Sequence, residues 1–290
     1  MFSGCGGSSL GYKMAGGEVL LAVDNNAEAM KTYRLNFPTT PVFCDDIAKL
    51  SVKECCRRAG IKPRELDILD GSPPCDGFSP LGKRQFADPR NQLYTEFVRL
   101  LRGLQPRAFV FENVAGMVRA EMKLIFADCL ESMKACRYRV KARLLDAQYF
   151  HVPHCRERVI IIGVREDLGI LPSHPKGQGE PQSVREALGL LGEGSVKNDQ
   201  FASQFRTIDL PCVTLAKHPP LLLLNGKQRK LSVEECAVLA GFPQDWKWDS
   251  SANRLIGNAV PPPFMRSIAE HIRDRILAVA ADRKAKRCVT

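Results

Sequence analysis

The sequence has no CxxC pair and no Cys/His spacing of the kind that holds zinc, although it carries eleven cysteines. Their number is odd, their spacing irregular, and Cys55 and Cys56 are adjacent, which argues against a disulfide framework and for a reducing compartment. Long apolar runs are also missing: "VIIIGV" and "LLLL" are far too short to cross a bilayer. The opening "MFSGCGG" lacks the basic and apolar regions of a signal peptide. No internal repeat or low-complexity tract is present. These absences predict a soluble, cytoplasmic protein with no membrane partner and no metal. Acidic charge is in deficit, 32 Asp plus Glu against 42 Lys plus Arg, and the resulting +10 favours a polyanionic partner, nucleic acid before membrane.

What is present is enough for a sizeable core, with 44% apolar residues in a 290-residue chain. Over the first 165 residues strand-like runs alternate with helix-period segments. "EVLLAVD", "LDILD", "AFVFEN", "YRVKARLLDA" and "RVIIIGV" read as strands; "AEAMKTYRLNF", "NQLYTEFVRLLRGL" and "VRAEMKLIFADCLESMKAC" read as helices. Ser51 with Glu54, and Ser232 with Glu235, have capping-box spacing; Gly60 and Gly241 stand where those helices should stop. Such alternation predicts an α/β fold, a mostly parallel sheet with helices on both faces. After Gly163 the periodicity weakens, "SHPKGQGEPQ" reads as a loop, and order returns near residue 230. The final "FMRSIAEHIRDRILAVAADRK" is amphipathic and basic towards its end.

Candidate chemistry gathers at the predicted strand ends, where open α/β sheets place their sites. Cys75 follows two prolines in "GSPPCDGFS", just past the strand "LDILD". It is either a nucleophile on a stiff turn or one more small apolar residue. Glu112 ends "AFVFEN" and can share a crevice with Cys75, or can be an ordinary charge at a helix N-terminus. Arg156 and Arg158 precede "VIIIGV" at a spacing of two; they can clamp a phosphate or a carbonyl oxygen, or can be two surface charges. Gly4, Gly6 and Gly7 form a turn leading into a helix, and Asp24 ends the next strand about twenty residues on. That pair points to a nucleoside-containing cofactor without separating NAD from S-adenosylmethionine.

"FSGCGG", "SPPCDGFS", "DPRNQLYTEF", "FENVAGM", "VPHCRERVIIIG", "RKLSVEECAVLAGFP" and "GNAVPPP" occur in the order seen in cytosine-C5 DNA methyltransferases, and from Phe2 to about Pro263 the chain resembles that family, in its bacterial and phage form. The resemblance implies a Rossmann-like, doubly wound S-adenosylmethionine-dependent methyltransferase fold with a small inserted DNA-recognition domain. It implies residues 1–164 plus 255–290 as the catalytic and cofactor domain, and 165–254 as the target-recognition part. Cys75 resembles the family's nucleophile, adding to C6 of a cytosine flipped out of duplex DNA. Glu112 would hold the N3/N4 edge, Arg158 the base O2, and Arg156 a backbone phosphate. The cofactor, S-adenosyl-L-methionine, would lie against Phe2, Gly4, Gly6, Gly7 and Pro74, with Asp24 on its ribose and Asp46 on its adenine amino group. Leu93 would pack on it, and Asn258 and Val260 would close its methionine end. Duplex DNA is the implied partner of a monomeric enzyme, accompanied by a cognate restriction endonuclease.

Three departures from the family pattern stand out. The short apolar strand before the glycine turn is reduced to Met1 and Phe2, His154 stands where the family has glutamine, and Asp76 replaces the glutamine after the nucleophile. A charge at Asp76 would tend to raise the Cys75 pKa. The recognition insertion is short, and its basic stretch "NGKQRK" can touch phosphates or simply be solvated. Two other readings accompany the leading one. The tRNA cytosine methyltransferases share the catalytic parts, but "PPCDGFS" and "AGFPQDW" look closer to the DNA enzymes; a non-catalytic DNA-binding paralogue is the other.

Overall fold

Apolar runs bounded by turn residues become the strands, and amphipathic runs the helices laid across them. The computed structural model describes residues 1–74, 93–119, 122–198, 204–249 and 252–287. In chain order it holds α1 (Gly7–Met14), β1 (Ala22–Val23), α2 (Ala27–Asn36), β2 (Val42–Phe43), α3 (Val52–Ala59), β3 (Ile68–Gly71), α4 (Leu93–Leu104), β4 (Ala108–Val114), α5 (Lys123–Lys134), β5 (Tyr138–Asp146) and β6 (Glu157–Arg165). Then follow α6 (Val184–Leu188), β7 (Gly194–Lys197), β8 (Arg206–Thr207), β9 (Leu221–Leu224), β10 (Lys227–Lys230), α7 (Val233–Leu239), α8 (Ala252–Asn258), α9 (Pro262–Ile272) and α10 (Ala278–Arg287). A π-helical turn, Arg273–Leu277, joins the last two helices.

The main sheet has three strands running one way and a single reversed strand. Its order is β3-β4-β6-β5, with β3 and β4 parallel but β6 antiparallel to both β4 and β5. The ten residues between β5 and β6 hold no long helix, and so short a return can only join antiparallel neighbours. β1 and β2 form a separate parallel pair. Between them and β3 runs Met1–Ser3: the Ser3 N–H donates to the Val23 carbonyl at 2.9 Å, and the Met1 nitrogen to the Asp70 carbonyl at 2.7 Å.

Helices cover both faces of the main sheet, as the alternation predicts. On one face Phe97 of α4 meets Phe109 and Phe111 edge-on, with ring centroids 5.8 and 5.2 Å apart, and Phe109 meets Tyr138 at 5.3 Å. On the other, Ile160, Ile162 and Val164 of β6 are buried with Phe264, Met265, Ile268 and Ile272 of α9. Each such side chain contributes about 1.5–3 kcal/mol of transfer free energy. The Ser232–Glu235 box forms in both directions. The Ser51 box forms only by half, because Arg57 and Arg58 hold the Glu54 carboxylate.

The chain after β6 builds a second sheet, β10-β9-β7-β8, antiparallel throughout. Its Val196 and Leu222, with Ile208 just past β8, share one apolar cluster with Tyr33 of α2, with Phe37 just after that helix, and with Leu255 and Ile256 of α8. The C-terminal helix returns to the N-terminus, where the Arg273 guanidinium donates to the Ala15 carbonyl at 2.7 Å. Among the described residues no helix is long and apolar enough to cross a membrane, and no group of three or more His, Cys, Asp or Glu could hold a metal ion.

Candidate active site

β3 and β4 end side by side, with Gly71 opposite Phe111, so the chain leaving β3 and the residues Glu112–Asn113 meet at one edge. Buried Asn113 ties the two together. Its Nδ2 reaches the Pro73 carbonyl at 3.5 Å, and its Oδ1 accepts from the Val114 N–H at 2.7 Å. Pro74 is exposed just beyond. Cys75 and Asp76 lie outside the described residues.

Glu112 is 7% exposed, and its Oε1 lies 2.8 Å from Nε of Arg158 on β6. The register explains the meeting, since Arg158 pairs with Val114 and Ile160 with Glu112. Desolvation draws the Arg158 pKa down and Glu112 opposes that shift. Removing either member of such a pair leaves an uncompensated buried charge.

Arg156 behaves differently from expectation. Its guanidinium is buried, Nη1 donates to the Gly257 carbonyl at 2.9 Å, and Nη2 to the Asn258 carbonyl at 3.3 Å. Its backbone N–H donates to Asp146 Oδ1 at 2.9 Å. The proposed phosphate contact is therefore corrected: the side chain faces inward and fastens β6 to the chain leaving α8. His154, which stands where the family has glutamine, is 1% exposed, and its Nδ1 has no partner among the described residues. Burial, then Arg156 and Arg158, bring its pKa down to about 3, so the ring is neutral at physiological pH. The backbone around it is stitched to the later chain: Cys155 N–H to the Cys212 carbonyl and Cys212 N–H to the Pro153 carbonyl, both 2.9 Å.

The glycine turn separates into two jobs. Gly4, at φ +53°, has open space where a side chain would project, and its N–H donates to Asp24 Oδ2 at 2.8 Å. Asp24 Oδ1 accepts from the Asn26 N–H at 2.8 Å, which leaves the carboxylate fixed beside the turn. A Cβ on Gly6 would stand 2.8 Å from the Phe37 ring, and one on Gly7 would stand 2.2 Å from the Val260 carbonyl oxygen. Gly6 and Gly7 are therefore glycines for packing, and Gly4 is the one facing open space. Val260 is itself buried with Phe264 and Met265, while Asn258 is exposed. Phe2, at φ +57°, and Leu93 at the start of α4 are half-buried against the sheet's first core. Asp46 is exposed and caps the turn Ile47–Lys49 through a 2.9 Å bond from the Ala48 N–H. Among the described residues it makes no hydrogen bond to another candidate.

Sequence reading missed two contacts. Tyr12 Oη donates to Asp70 Oδ1 at 3.2 Å under the β3 end, and desolvation raises the Asp70 pKa to about 6. A carboxylate inside the apolar "LDILD" was the available signal. Arg206 of β8 places Nη1 3.0 Å from Cys155 Sγ, a pairing across more than fifty residues that no spacing foretells.

Together these features define an α/β enzyme with a nucleoside-type glycine turn and a carboxylate–arginine pair at neighbouring strand ends. The profile of the C-5 cytosine-specific DNA methylase family matches residues 1–209 and 197–274. The type II methyltransferase M1.HphI of Haemophilus parahaemolyticus is 33% identical over 94% of this chain and 85% of its own length; M.NgoPII of Neisseria gonorrhoeae is 28% identical over 94% of each. Among solved structures, a prophage-encoded E. coli protein assigned as a DNA modification methyltransferase superposes with a TM-score of 0.76 at 24% identity, covering 95% of this chain and 98% of that one. S. pombe Dnmt2 superposes at 0.70 and 18%, covering 96% and 97%; both likenesses speak for the fold. The chain belongs to the C-5 cytosine-specific DNA methylase family. As a member it methylates cytosine at C5 in DNA, with S-adenosylmethionine as the methyl donor. The residues present fit that donor: open space at left-handed Gly4 beside the fixed Asp24 carboxylate suits a nucleoside with ribose hydroxyls.

Proposed function

We propose that Cys75 is the nucleophile, and that Glu112 and Arg158 hold the target base while it reacts. The observation that carries this reading is the meeting of three strand ends: the Pro73–Pro74 turn pinned by Asn113, Glu112 at the end of β4, and Arg158 of β6 at 2.8 Å. A base flipped from the duplex would enter this edge. The Cys75 thiolate bonds to C6, and the ring's C5–C6 electron pair becomes available at C5. Glu112 accepts from the N4 amino group and orients the N3 side, and the Arg158 guanidinium beside it offsets the negative charge that develops on the ring. Arg158, oriented by the same contact, donates to O2. Bound S-adenosylmethionine would supply an electrophilic methyl group to C5, its sulfonium leaving as a neutral thioether. A base then takes the C5 proton, the electrons re-form the C5–C6 double bond, and the C6–S bond breaks to release Cys75. Gly4 and Asp24 would border the nucleoside, with Phe2, Pro74 and Leu93 packing near it and Asp46 receiving the adenine amino group.

Arg156, Gly6, Gly7 and Val260 act as scaffold in this reading. Residues 165–254, with the second sheet, would supply target recognition, the exposed Lys227 of β10 facing the duplex. The enzyme would work as a cytoplasmic, nucleoid-associated monomer beside a cognate restriction endonuclease. The test is transfer of labelled methyl to mixed-sequence duplex DNA, with Cys75→Ser alongside. Label recovered as 5-methylcytosine and lost in the variant is expected. Undiminished transfer by Cys75→Ser would refute the assignment, and DNA binding without transfer by the wild type would favour a non-catalytic paralogue.

A further inference from the structure

β5 is the outer strand of the main sheet, and it carries Arg139, Lys141 and Arg143 at alternate positions, all exposed. Alternation places the three on one face, the face that also holds their register partners Val164, Ile162 and Ile160. Among the described residues none of the three has an ion-pair partner, and neither does exposed Lys176. Lys176 lies across from Arg143 on a cleft of about 360 Å³ whose lining also includes Asp146, Tyr149 and Glu157. The two acids there are engaged elsewhere. Asp146 accepts the Arg156 and Gln148 N–H groups, and Glu157 pairs with Arg119 at 3.2 Å.

Charges on an outer strand often serve only to stop edge-to-edge pairing. That explanation needs charge of either sign, and it does not account for three cations in a row and a fourth beside them. Position supplies the rest. Leu145 pairs with Arg158, so Arg143 stands one pleat from the proposed base site and the row leads away from it. From Arg139 to Arg143 the strand spans about 13 Å. A duplex strand carries a phosphate about every 3.4 Å of axis, so the row matches about four of them.

We infer that Arg139, Lys141 and Arg143, with Lys176, form a phosphate rail for duplex flanking the target cytosine, separate from the recognition segment. The inference rests on the DNA-methylating reading above. The experiment compares Arg139→Glu/Lys141→Glu/Arg143→Glu with wild type and with Lys31→Glu/Arg34→Glu/Lys53→Glu, an equal charge change on α2 and α3. Glutamates keep the edge charged, so edge protection is retained. Binding to a mixed-sequence duplex of about three helical turns is measured against salt. The rail variant is expected to flatten the log–log salt slope by about 0.9 per cation, about 3 in all. It should leave the saturated turnover rate near wild type, and the control should change little. Lys141→Glu alone, expected to flatten the slope by about 0.9, carries the test should the triple variant unfold. An unchanged slope or an equal loss in the control would each overturn the rail. Absence of methyl transfer by the wild type would instead strike the reading beneath it.

Discussion

Arg156→Met tests whether this side chain fastens the fold or touches DNA. The guanidinium satisfies two backbone carbonyls, the buried one of Gly257 and the partly exposed one of Asn258, at 2.9 and 3.3 Å. Methionine fills similar length but donates nothing, and each carbonyl left without a donor costs about 1–3 kcal/mol. Part of that is offset, because the substitution also removes a buried cation whose desolvation is expensive. The net loss should be about 1–3 kcal/mol, or a fall in Tm of about 2–5 °C for a chain of this size. The functional loss should fall on the cofactor side. Gly257 and Asn258 lead directly to Val260, whose carbonyl faces Gly7 in the glycine turn. Thermal melting with and without S-adenosylmethionine, cofactor titration and DNA binding against salt together decide the matter. Expected are a lower Tm, weaker cofactor binding and an unchanged salt slope. Unchanged Tm and cofactor affinity, with a slope flattened by about 0.9, would refute the clamp and restore a phosphate contact.

Glu112→Gln should preserve shape but strand the Arg158 charge, lowering the saturated methyl-transfer rate by about 10²–10³ while DNA binding changes little, as read by steady-state kinetics beside a filter-binding assay. Gly7→Ala would put a methyl group 2.2 Å from the Val260 carbonyl oxygen, against backbone that cannot rotate away; melting should show a loss of about 1–3 kcal/mol, and the cofactor Kd should rise. Asp70→Asn addresses pH. The folded-state pKa of Asp70, near 6, is raised above its ordinary value by desolvation. Protonated Asp70 therefore favours the folded state, and that contribution fades as pH rises from about 4 through 6. The asparagine variant, which never ionises, should gain about 3 kcal/mol over wild type across that interval and hold the gain above it. Denaturant melts at pH 4 and pH 7 showing an identical difference between the two proteins would contradict this.

Local chemistry made much of the architecture legible. "NQLYTEFVRLLRGL", "AFVFEN" and "RVIIIGV" became α4, β4 and β6 because their apolar periods are long and their neighbours turn-forming. The direction of β6 was less legible, because a parallel and an antiparallel neighbour bury the same Ile160–Ile162 pattern; the short link after β5 settled it. "EVLLAVD" shrank to Ala22–Val23 because its ladder partner β2 is only two residues long, which the run itself does not reveal. The second sheet hid for a related reason. Its strands are two or four residues long, and its core is completed by α2 and α8, so no local window carries its full hydrophobic pattern.

The arginine pair shows where motif reading stops. Spacing of two places Arg156 and Arg158 on the same side of an extended chain, and spacing alone suggests similar partners. What divides them is tertiary. Arg158 falls within the β4–β6 ladder, opposite Val114, where the neighbouring strand supplies Glu112. Arg156 sits just before β6 starts, where the covering element is the end of α8 and offers only backbone carbonyls. A carboxylate partner leaves a guanidinium free to turn some of its N–H groups towards a substrate. Two carbonyl partners in a dry setting make the same group a rivet, and exchanging the two residues' roles would require moving α8 rather than changing either arginine.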